Sequence, residues 1–378
     1  MAFFTSARGR LIALLLLGLT LTLGAASVRF AVPAHARLSF VERCRSSQML
    51  QIALRFDAPS RETEQNVPRW LLRSVGPEAF QDPVEISVLD ATGRYRSSAT
   101  DAQSIQKRDE CFDILNYAAE HPTVEELYLY GLPQRMSDLG ALKDAPGLRT
   151  LSLASPALDG SVTSYIERWS KLESFRASVR SLNDDSLRPF ARAARFTSID
   201  LYADEFGERR LTLADVVAAL DGAALPLEVP TDAGFESFRA LPRLKRLRIV
   251  PSFISDRGLD AVGSLATLES LGLGGGRLTQ RGAESIARCA RLKELELQAF
   301  VVEAGVGAAL AELAELETVR IFDCDLRAVD LAALAKSRRL QELMLDAVEV
   351  APEQLDDLAR AAPDLRIVRD TQPWRKPE

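Results

Sequence analysis

The residue types that most often carry out chemistry are scarce in this chain. Its 378 residues include two His, His35 and His121, and four Cys. No His-Glu-x-x-His zinc motif, Gly-x-Ser-x-Gly nucleophile elbow or phosphate-binding loop with its Lys-Ser/Thr is present. Gly274-Gly275-Gly276 could cradle a phosphate, but a tight turn after a strand accounts for the glycines as well. We therefore expect a protein that is not an enzyme and that holds no metal and no cofactor.

Carboxylate pairs offer a second route to chemistry. Asp184-Asp185 and Asp356-Asp357 are examples, and both fall at predicted helix starts or on a solvated helix face. Acidic residues are favoured there by the free backbone N–H groups of the first turn. This position favours helix capping over acid–base catalysis. The formal charge of −6 gives no electrostatic reason to expect nucleic acid as a partner.

The first 36 residues carry an export signature. Arg8 and Arg10 precede an uncharged, apolar run at residues 11–28, and small residues suited to cleavage occur at 24–26 and 34–36. About 20 apolar residues are needed to cross a bilayer, so the run is either a retained anchor or a cleaved signal. Basic residues stay on the cytoplasmic side. The body is therefore expected to be membrane-anchored and facing outside the cytoplasm, or secreted or periplasmic after signal cleavage.

A Leu-x-x-Leu-x-Leu pattern recurs every 24 residues, as in Leu268, Leu271 and Leu273. The first positions of its ten copies are residues 124, 148, 172, 196, 220, 244, 268, 292, 316 and 340. The spacing of two within each copy predicts a short strand. Apolar pairs three residues apart later in each repeat, such as Leu259 and Val262, predict a helix with one buried stripe. One such repeat cannot bury its own apolar face, so neighbouring repeats must stack.

This register resembles the leucine-rich-repeat family over about residues 84–370. The resemblance implies an α/β fold, a curved solenoid of ~24-residue repeats with a parallel sheet on the concave side, helices on the convex side and an N-terminal cap. The order of an apolar N-terminal segment, a Trp-Leu-Leu element and a Val-rich strand is similar to bacterial membrane-tethered or exported leucine-rich-repeat proteins. A non-catalytic interaction role is what the family implies.

Two features depart from the family pattern. Family members often place Asn or Cys eight residues into each repeat, whereas here only Cys324 fits, so no continuous polar ladder is expected. The repeat beginning at Leu220 is interrupted by Gly222, Pro226 and Pro230. Proline removes a donor from a strand, so we expect a distorted strand there. An alternative frame at residues 225–229 remains open.

The pattern divides the chain into four parts: an export signal or membrane anchor at 1–36, an N-terminal cap region at 37–83, the solenoid at 84–370 and a tail at 371–378. Within these parts we expect a short helix at 66–72, a first strand at 84–89, a polar loop at 90–107 and its helix at 109–120. A last partial strand at 365–368 is expected to be displaced by one residue.

The four cysteines fall into two pairs. Cys289 and Cys324 occupy repeat positions that should be buried, where cysteine behaves as a small hydrophobe. Cys44 and Cys111 lie outside the regular repeats. In an exported chain they are candidates for a disulfide that staples the cap, if their Cα atoms approach within ~7 Å.

Side chains alternate along a strand, so the third, fifth and seventh positions of each repeat should face the concave surface. Tyr and Arg are enriched at binding hot spots, and three of the six tyrosines in the chain fall on this face. The predicted binding residues are Tyr128, Tyr130, Arg176, Asp200, Tyr202, Arg246, Arg248, Glu294, Glu296, Arg320, Phe322, Glu342, Met344 and Asp346. They form an aromatic zone around the tyrosines and a mixed-charge zone from Arg246 to Asp346. The alternative is a solvated sheet with scattered polar residues.

Two hypotheses follow from this face. Ten strands would span ~45 Å, which suits a protein or other macromolecule better than a metabolite. The first hypothesis is a non-catalytic protein-interaction module outside the cytoplasm that binds its partner on the concave sheet and meets the membrane only through its N-terminal segment. The alternative is a structural envelope spacer that self-associates.

Overall fold

A computed structural model describes residues 25–47, 50–56, 82–90, 102–131, 138–155, 158–203 and 211–370. The chain divides into two compact parts, unit 1 (residues 1–132 and 145–148) and unit 2 (residues 133–144 and 149–378). Most of the predicted export run and the predicted helix at 66–72 lie outside the described residues. Within the described ranges, no helix is both long enough and apolar enough to cross a membrane.

Within its described residues, unit 1 combines two long helices with three strands. The helices are α1 (Ala25–Ser46) and α2 (Ala102–Glu120), and the strands are β1 (Leu50–Arg55), β2 (Glu85–Asp90) and β3 (Glu126–Tyr130). β1 pairs with β2 antiparallel and β2 pairs with β3 parallel. The predicted first strand is confirmed, but the predicted loop at 90–107 is wrong in its last part. Polar composition did not distinguish a loop from the first turns of α2, whose Gln and Lys residues are good helix formers.

Unit 2 is built on parallel strands joined by short helices. Its strands are β4 (Thr150–Ala154), β5 (Ser174–Ser178), β6 (Ser198–Tyr202), β7 (Arg246–Val250), β8 (Ser270–Leu278), β9 (Glu294–Val302), β10 (Thr318–Phe322), β11 (Glu342–Asp346) and β12 (Arg366–Asp370). Its α-helices are α3 (Asp184–Leu187), α4 (Leu213–Leu220), α5 (Asp232–Phe235), α6 (Asp256–Val262), α7 (Gln280–Ala287), α8 (Val306–Ala311) and α9 (Pro352–Ala361). Short 3₁₀ helices lie at Asp138–Asp144, Gly160–Tyr165, Arg188–Arg192, Glu236–Ala240 and Leu331–Lys336.

The register within unit 2 follows the sequence repeat. Each strand from β4 to β12 pairs in parallel with the next, and the fourth and sixth positions of neighbouring repeats stand side by side, as in Leu295, Val319 and Leu343. These three side chains are almost completely buried. Burying each such side chain stabilises the fold by about 1.5–3 kcal/mol. The predicted α/β leucine-rich-repeat solenoid is therefore confirmed as the fold class.

The repeat at Leu220 contains no strand. β6 pairs directly with β7, so Ile199 lies beside Leu247, and the chain between these strands contains α4, α5 and the 3₁₀ helix at Glu236–Ala240. α4 packs on β8 and β9, where Leu211 and Val216 form an apolar cluster with Ala299. The prediction of a distorted strand was wrong because burial of this apolar helix against two long strands outweighs the repeat's propensity to pair.

The last strand keeps the common register. Ile367 of β12 lies opposite Leu343 of β11, so the predicted displacement by one residue is wrong. In this register Arg369 takes the position where Leu345 stands on β11.

A backbone corner recurs at the same position of successive repeats, inside β8 and β9 and directly after β10 and β11. Gly275, Ala299, Asp323 and Ala347 all have positive φ, between 48° and 107°, and stand 24 residues apart. A side chain on Gly275 would collide with the backbone oxygen of Ser252, only 2.2 Å from where its Cβ would lie. Gly274 to Gly276 accordingly continue β8 past this corner, so the interpretation of these glycines as a turn after a strand was wrong. Three of the four corners lack glycine, so composition does not reveal them.

A polar ladder joins neighbouring helix starts in unit 2. Asp184 accepts hydrogen bonds from the N–H groups of Thr231 (2.6 Å) and Gly234 (3.0 Å) in the next helix start. Asp232 in turn accepts from the N–H groups of Ser255 (2.8 Å) and Gly258 (3.1 Å). The expectation that the chain has no polar ladder therefore holds only for the turn position where the family often has Asn or Cys.

Candidate functional site

We call the surface formed by the third, fifth and seventh positions of β4 to β12 the exposed sheet face of unit 2. Its positions on β9 to β11 are partly exposed, whereas Ser152, Asp200 and Gly272 on β4, β6 and β8 are buried. Strand pairing aligns its central row, which contains Ser152, Arg176, Asp200, Arg248, Gly272, Glu296, Arg320, Met344 and Val368. The alternate positions on β4 to β11 are buried, as on β10, where Val319 and Ile321 point into the core. The structure thus brings together the predicted residues of unit 2 on one face.

Four charged side chains of the central row form a continuous chain of ion pairs. Nε of Arg176 lies 2.9 Å from Oδ2 of Asp200, and Nη1 of Arg248 lies 3.8 Å from Oδ1 of the same carboxylate. Arg248 also donates to Oε1 of Glu296 through Nε (3.1 Å) and Nη2 (2.7 Å). Opposite charges on adjacent strands stabilise a sheet, and here they also hold these side chains in fixed positions.

Gly272 allows Arg248 to reach Glu296. The two charged residues lie on β7 and β9, and β8 runs between them. A Cβ on Gly272 would lie 2.7 Å from Cγ of Arg248, so the arginine side chain lies directly over the glycine. A larger residue at this position would collide with the arginine side chain where it now lies. Gly272 is therefore part of the site even though it carries no side chain.

Arg248 is also held by an aromatic ring. Its guanidinium carbon lies 4.9 Å from the centroid of the Tyr202 ring, within cation–π distance. Burial lowers the pKa of Arg248, but the carboxylates of Glu296 and Asp200 outweigh it and raise the pKa above its usual value. Arg248 therefore stays positively charged under all ordinary conditions.

The flanking rows are paired in a similar way. Glu294 accepts a hydrogen bond from the Ser270 hydroxyl (3.0 Å) and lies 3.9 Å from Nη2 of Arg246. Glu342 lies 3.2 Å from Nη1 of Arg366. Phe322, Met344 and Asp346 lie toward the β12 side of this face, each partly exposed.

Tyr128 and Tyr130 belong to unit 1, where they stand on β3. Their ring centroids are 6.4 Å apart, and the Tyr128 hydroxyl donates to Oε2 of Glu126 (2.9 Å). Burial, with the hydrogen bond to Glu126, raises the pKa of Tyr128 to about 12. Arg55 bonds both Glu126 and Glu85, so this face of unit 1 also has its charges paired.

Sequence reasoning missed a partly buried polar cluster in unit 1. Asp82 accepts from Nε of Arg37 on α1 and from the hydroxyl of Tyr117 on α2, both at 2.8 Å. The rings of Phe40, Tyr117 and His121 stack, with centroids 3.6 and 3.8 Å apart. Burial raises the pKa of Asp82, but these hydrogen bonds outweigh it and hold the pKa below its usual value. The cluster ties α1 to α2, and no sequence signal links residues so far apart.

Comparison with solved structures finds leucine-rich-repeat proteins. Internalin C2 of Listeria monocytogenes is 16% identical with a TM-score of 0.40, over 68% of this chain and 92% of that one. Internalin inlF of the same organism is 16% identical with a TM-score of 0.40, over 68% and 77%. A leucine-rich-repeat protein of Leptospira interrogans is 14% identical with a TM-score of 0.36, over 67% and 74%. No family model and no curated protein matches the chain.

The cysteines are buried in both units. Cys44 carries a free thiol, so the structure contains no Cys44–Cys111 disulfide. Burial raises the pKa of Cys44 to about 12, which keeps it as the unreactive thiol. Cys289 and Cys324 are buried as predicted, and Sγ of Cys324 accepts from the Phe300 N–H (3.2 Å). Among the described residues, no group of three or more His, Cys, Asp and Glu could hold a metal ion.

Proposed function

We propose that the protein is a non-catalytic interaction module that binds a protein partner on the exposed sheet face of unit 2. The observation that carries this proposal is the central row, in which ion pairs hold Arg176, Asp200, Arg248 and Glu296 in fixed positions. A face whose side chains are already ordered loses little conformational entropy on binding. Arg and aromatic residues, which dominate binding hot spots, occupy the same face.

The extent of the face supports a macromolecular partner. Nine strands at ~4.8 Å separation extend over roughly 40 Å, a length comparable with an ordinary protein interface. A small metabolite prefers an enclosed pocket that covers most of its surface.

We further propose that this face lies outside the cytoplasm. The support comes from the sequence, where Arg8 and Arg10 precede the apolar run at 11–28. Anchoring through this segment would leave both units exposed on the far side of the membrane.

Site-specific photo-crosslinking tests the binding face. A benzoylphenylalanine would replace Gln298 or Met344 on the exposed sheet face and, as matched controls, Arg188 or Arg192, whose side chains are 74% and 81% exposed on a helix. We expect the two sheet positions to crosslink to one heterologous protein in cells and the two helix positions not to do so. Equal crosslinking to the partner from the sheet positions and from the helix positions would contradict the proposal. Crosslinks only to a second copy of the chain would favour a self-associating spacer.

A further inference from the structure

One arginine on the exposed sheet face of unit 2 differs from the others. Of the five arginines there, Arg176, Arg246, Arg248 and Arg366 each lie within 4.0 Å of a carboxylate oxygen. Arg320 has no ion-pair partner among the residues that the structure describes, although it stands beside Glu296 of β9. That carboxylate is already bound by Arg248, which reaches it across Gly272. On the other side Arg320 faces Met344, which carries no charge.

This pairing gives the part of the face next to Arg320 a preference for one sign of charge. Four carboxylates of the face, those of Asp200, Glu294, Glu296 and Glu342, are engaged by arginines, so a cation that binds at any of these four would have to displace an arginine. An incoming anion finds the Arg320 guanidinium available. Arginine binds carboxylates through two parallel N–H donors, an arrangement with both strength and directionality.

Two apolar side chains border Arg320. Phe322 stands two residues along the same strand, about 6.6 Å away, and Met344 is the partner on β11, about 4.8 Å away. Both are partly exposed. Aromatic rings supply rigid contact area, and methionine adapts its shape to different apolar groups. The three residues together offer one cationic and two apolar contacts within reach of a single short segment.

We propose that Arg320, Phe322 and Met344 bind an acidic segment of the partner protein, with an Asp or Glu carboxylate on Arg320 and a neighbouring apolar side chain on Phe322 and Met344. This inference rests on the proposed function and names the chemistry of its partner.

The surrounding charges favour a single carboxylate over a polyanion. Glu294, Glu296 and Glu342 surround Arg320 at neighbouring positions of the sheet. A nucleic acid or a polyphosphate would bring several negative charges close to these carboxylates, and only one arginine is available to compensate them. One acidic side chain in an otherwise apolar segment avoids this repulsion.

Selection from a random heptapeptide phage library tests the proposal without knowledge of the partner. The folded protein would be the bait in three forms: wild type, Arg320→Gln and Arg320→Glu. The matched control is Arg192→Gln, on the helix side. We expect the wild type and the control to enrich peptides with Asp or Glu next to Leu, Phe or Met. Arg320→Gln should lose the acidic preference and Arg320→Glu should shift it toward Lys and Arg. For one selected acidic peptide, affinity should fall about tenfold or more in Arg320→Gln.

The outcomes separate this inference from the proposed function. Enrichment that depends on Phe322 and Met344 but shows no acidic preference overturns the inference and leaves the binding face in place. An acidic preference that persists unchanged in Arg320→Glu also overturns it. No enrichment by the wild type would count against both. Arg320 has no ion-pair partner among the described residues, so Arg320→Gln should leave the urea unfolding midpoint unchanged, which excludes misfolding as the cause of a lost preference in that variant.

Discussion

Gly272 affects the site because, without a side chain, it leaves space for Arg248. It stands between Arg248 and Glu296, and its bare backbone lets the arginine cross β8 to bind the carboxylate. The pairing in turn leaves Arg320 as the cation available to a partner. In the proposed binding mode, this glycine thereby leaves Arg320, and not Arg248, to bind the partner's carboxylate.

The dependence on Gly272 can be measured. We expect a coupling energy of about 1 kcal/mol between Arg248 and Glu296, from urea unfolding of Arg248→Met, Glu296→Gln and the double variant. In a Gly272→Val background the coupling should fall close to zero, because the new side chain would occupy the path of Arg248. Coupling that survives at full size in Gly272→Val would show that the arginine reaches Glu296 by another path.

The sequence predicts which side chains share the exposed face but not which of them pair. Alternation along each strand placed Arg248, Glu296 and Arg320 on one surface. Pairing depends on the length of each side chain and on what stands between the strands, and the repeat pattern does not contain this information. Asp82 and its partners Arg37 and Tyr117 show the same limit, since the contacts are set by tertiary packing.

Between helices, the carboxylate ladder links one repeat to the next. Asp232, at the start of α5, accepts hydrogen bonds from backbone N–H groups of Ser255 and Gly258 at the start of α6. Free N–H groups at a helix start need acceptors, and a carboxylate supplies charge as well. Asp184 and Asp232, each at the start of one helix, therefore bind backbone N–H groups at the start of the neighbouring helix.

Asp232→Ala should cost about 2–3 kcal/mol of unfolding free energy, because two N–H groups lose a charged acceptor. Asp232→Asn should recover part of this loss. The matched control is Asp185→Ala, whose 71%-exposed carboxylate forms a surface pair with Arg188 and should contribute less than about 0.5 kcal/mol. Urea unfolding of the three variants provides the comparison. Equal losses for Asp232→Ala and the control would refute a structural role for the ladder.

The start of helix α4 is bound by the carboxylate of Asp323, and the surroundings of this carboxylate disfavour its ionised form. Oδ2 of Asp323 accepts from the Leu213 N–H (2.9 Å) at the start of the helix. Burial raises the pKa of Asp323, and the nearby carboxylates of Asp215, Glu349 and Asp346 raise it further. The hydrogen bond from Leu213 lowers the pKa but does not outweigh these effects, so the pKa lies above its usual value. The protonated form therefore adds stability that is present at low pH and is lost as pH rises through the raised pKa.

Asp323→Asn removes this charge and keeps an oxygen acceptor for Leu213. Asn also tolerates the positive φ at this position. We expect the variant to gain stability relative to wild type as pH rises from about 4 to 8, measured by urea unfolding across that range. The control Asp221→Asn removes an exposed carboxylate at the end of the same helix and measures the effect of losing one charge without burial. A constant or opposite trend for Asp323→Asn would contradict this account.

The repeat pattern predicts the strands well because it fixes burial at two positions per strand. It failed at Leu220, where Leu220, Ala223 and Leu225 fit the pattern but the chain forms α4 and an irregular segment. There, several residues find burial against β8 and β9 instead of in a new strand. A local sequence pattern does not show whether an apolar segment will pack as a new strand of the sheet or against strands that are already there.

In the whole molecule, the proposed roles divide between the N-terminal segment and the exposed sheet face of unit 2. The first 36 residues would direct the chain across the membrane, and the exposed sheet face of unit 2 would bind the partner. Composition contributes little here, since a formal charge of −6 bears on solubility and identifies no ligand.

Export can be tested with an alkaline phosphatase fused after residue 378, because this enzyme is active only outside the cytoplasm. We expect activity with the natural N-terminus and a marked loss when Arg8 and Arg10 are both replaced by Glu, since basic residues determine orientation. A green fluorescent protein fusion at the same position reports the cytoplasmic location. Strong fluorescence without phosphatase activity for the natural sequence would contradict the proposed location.

The binding face is tested most directly by hydroxyl-radical footprinting of the complex with the partner captured by crosslinking. Phe322 and Met344 react readily with hydroxyl radicals and lie on the proposed face, while Phe112, 42% exposed in unit 1, and Val217, 40% exposed on α4, serve as internal references. The account predicts that oxidation of Phe322 and Met344 falls several-fold on saturation with the partner and that oxidation of both references stays unchanged. Unchanged oxidation of Phe322 and Met344 in the saturated complex would contradict binding on this face.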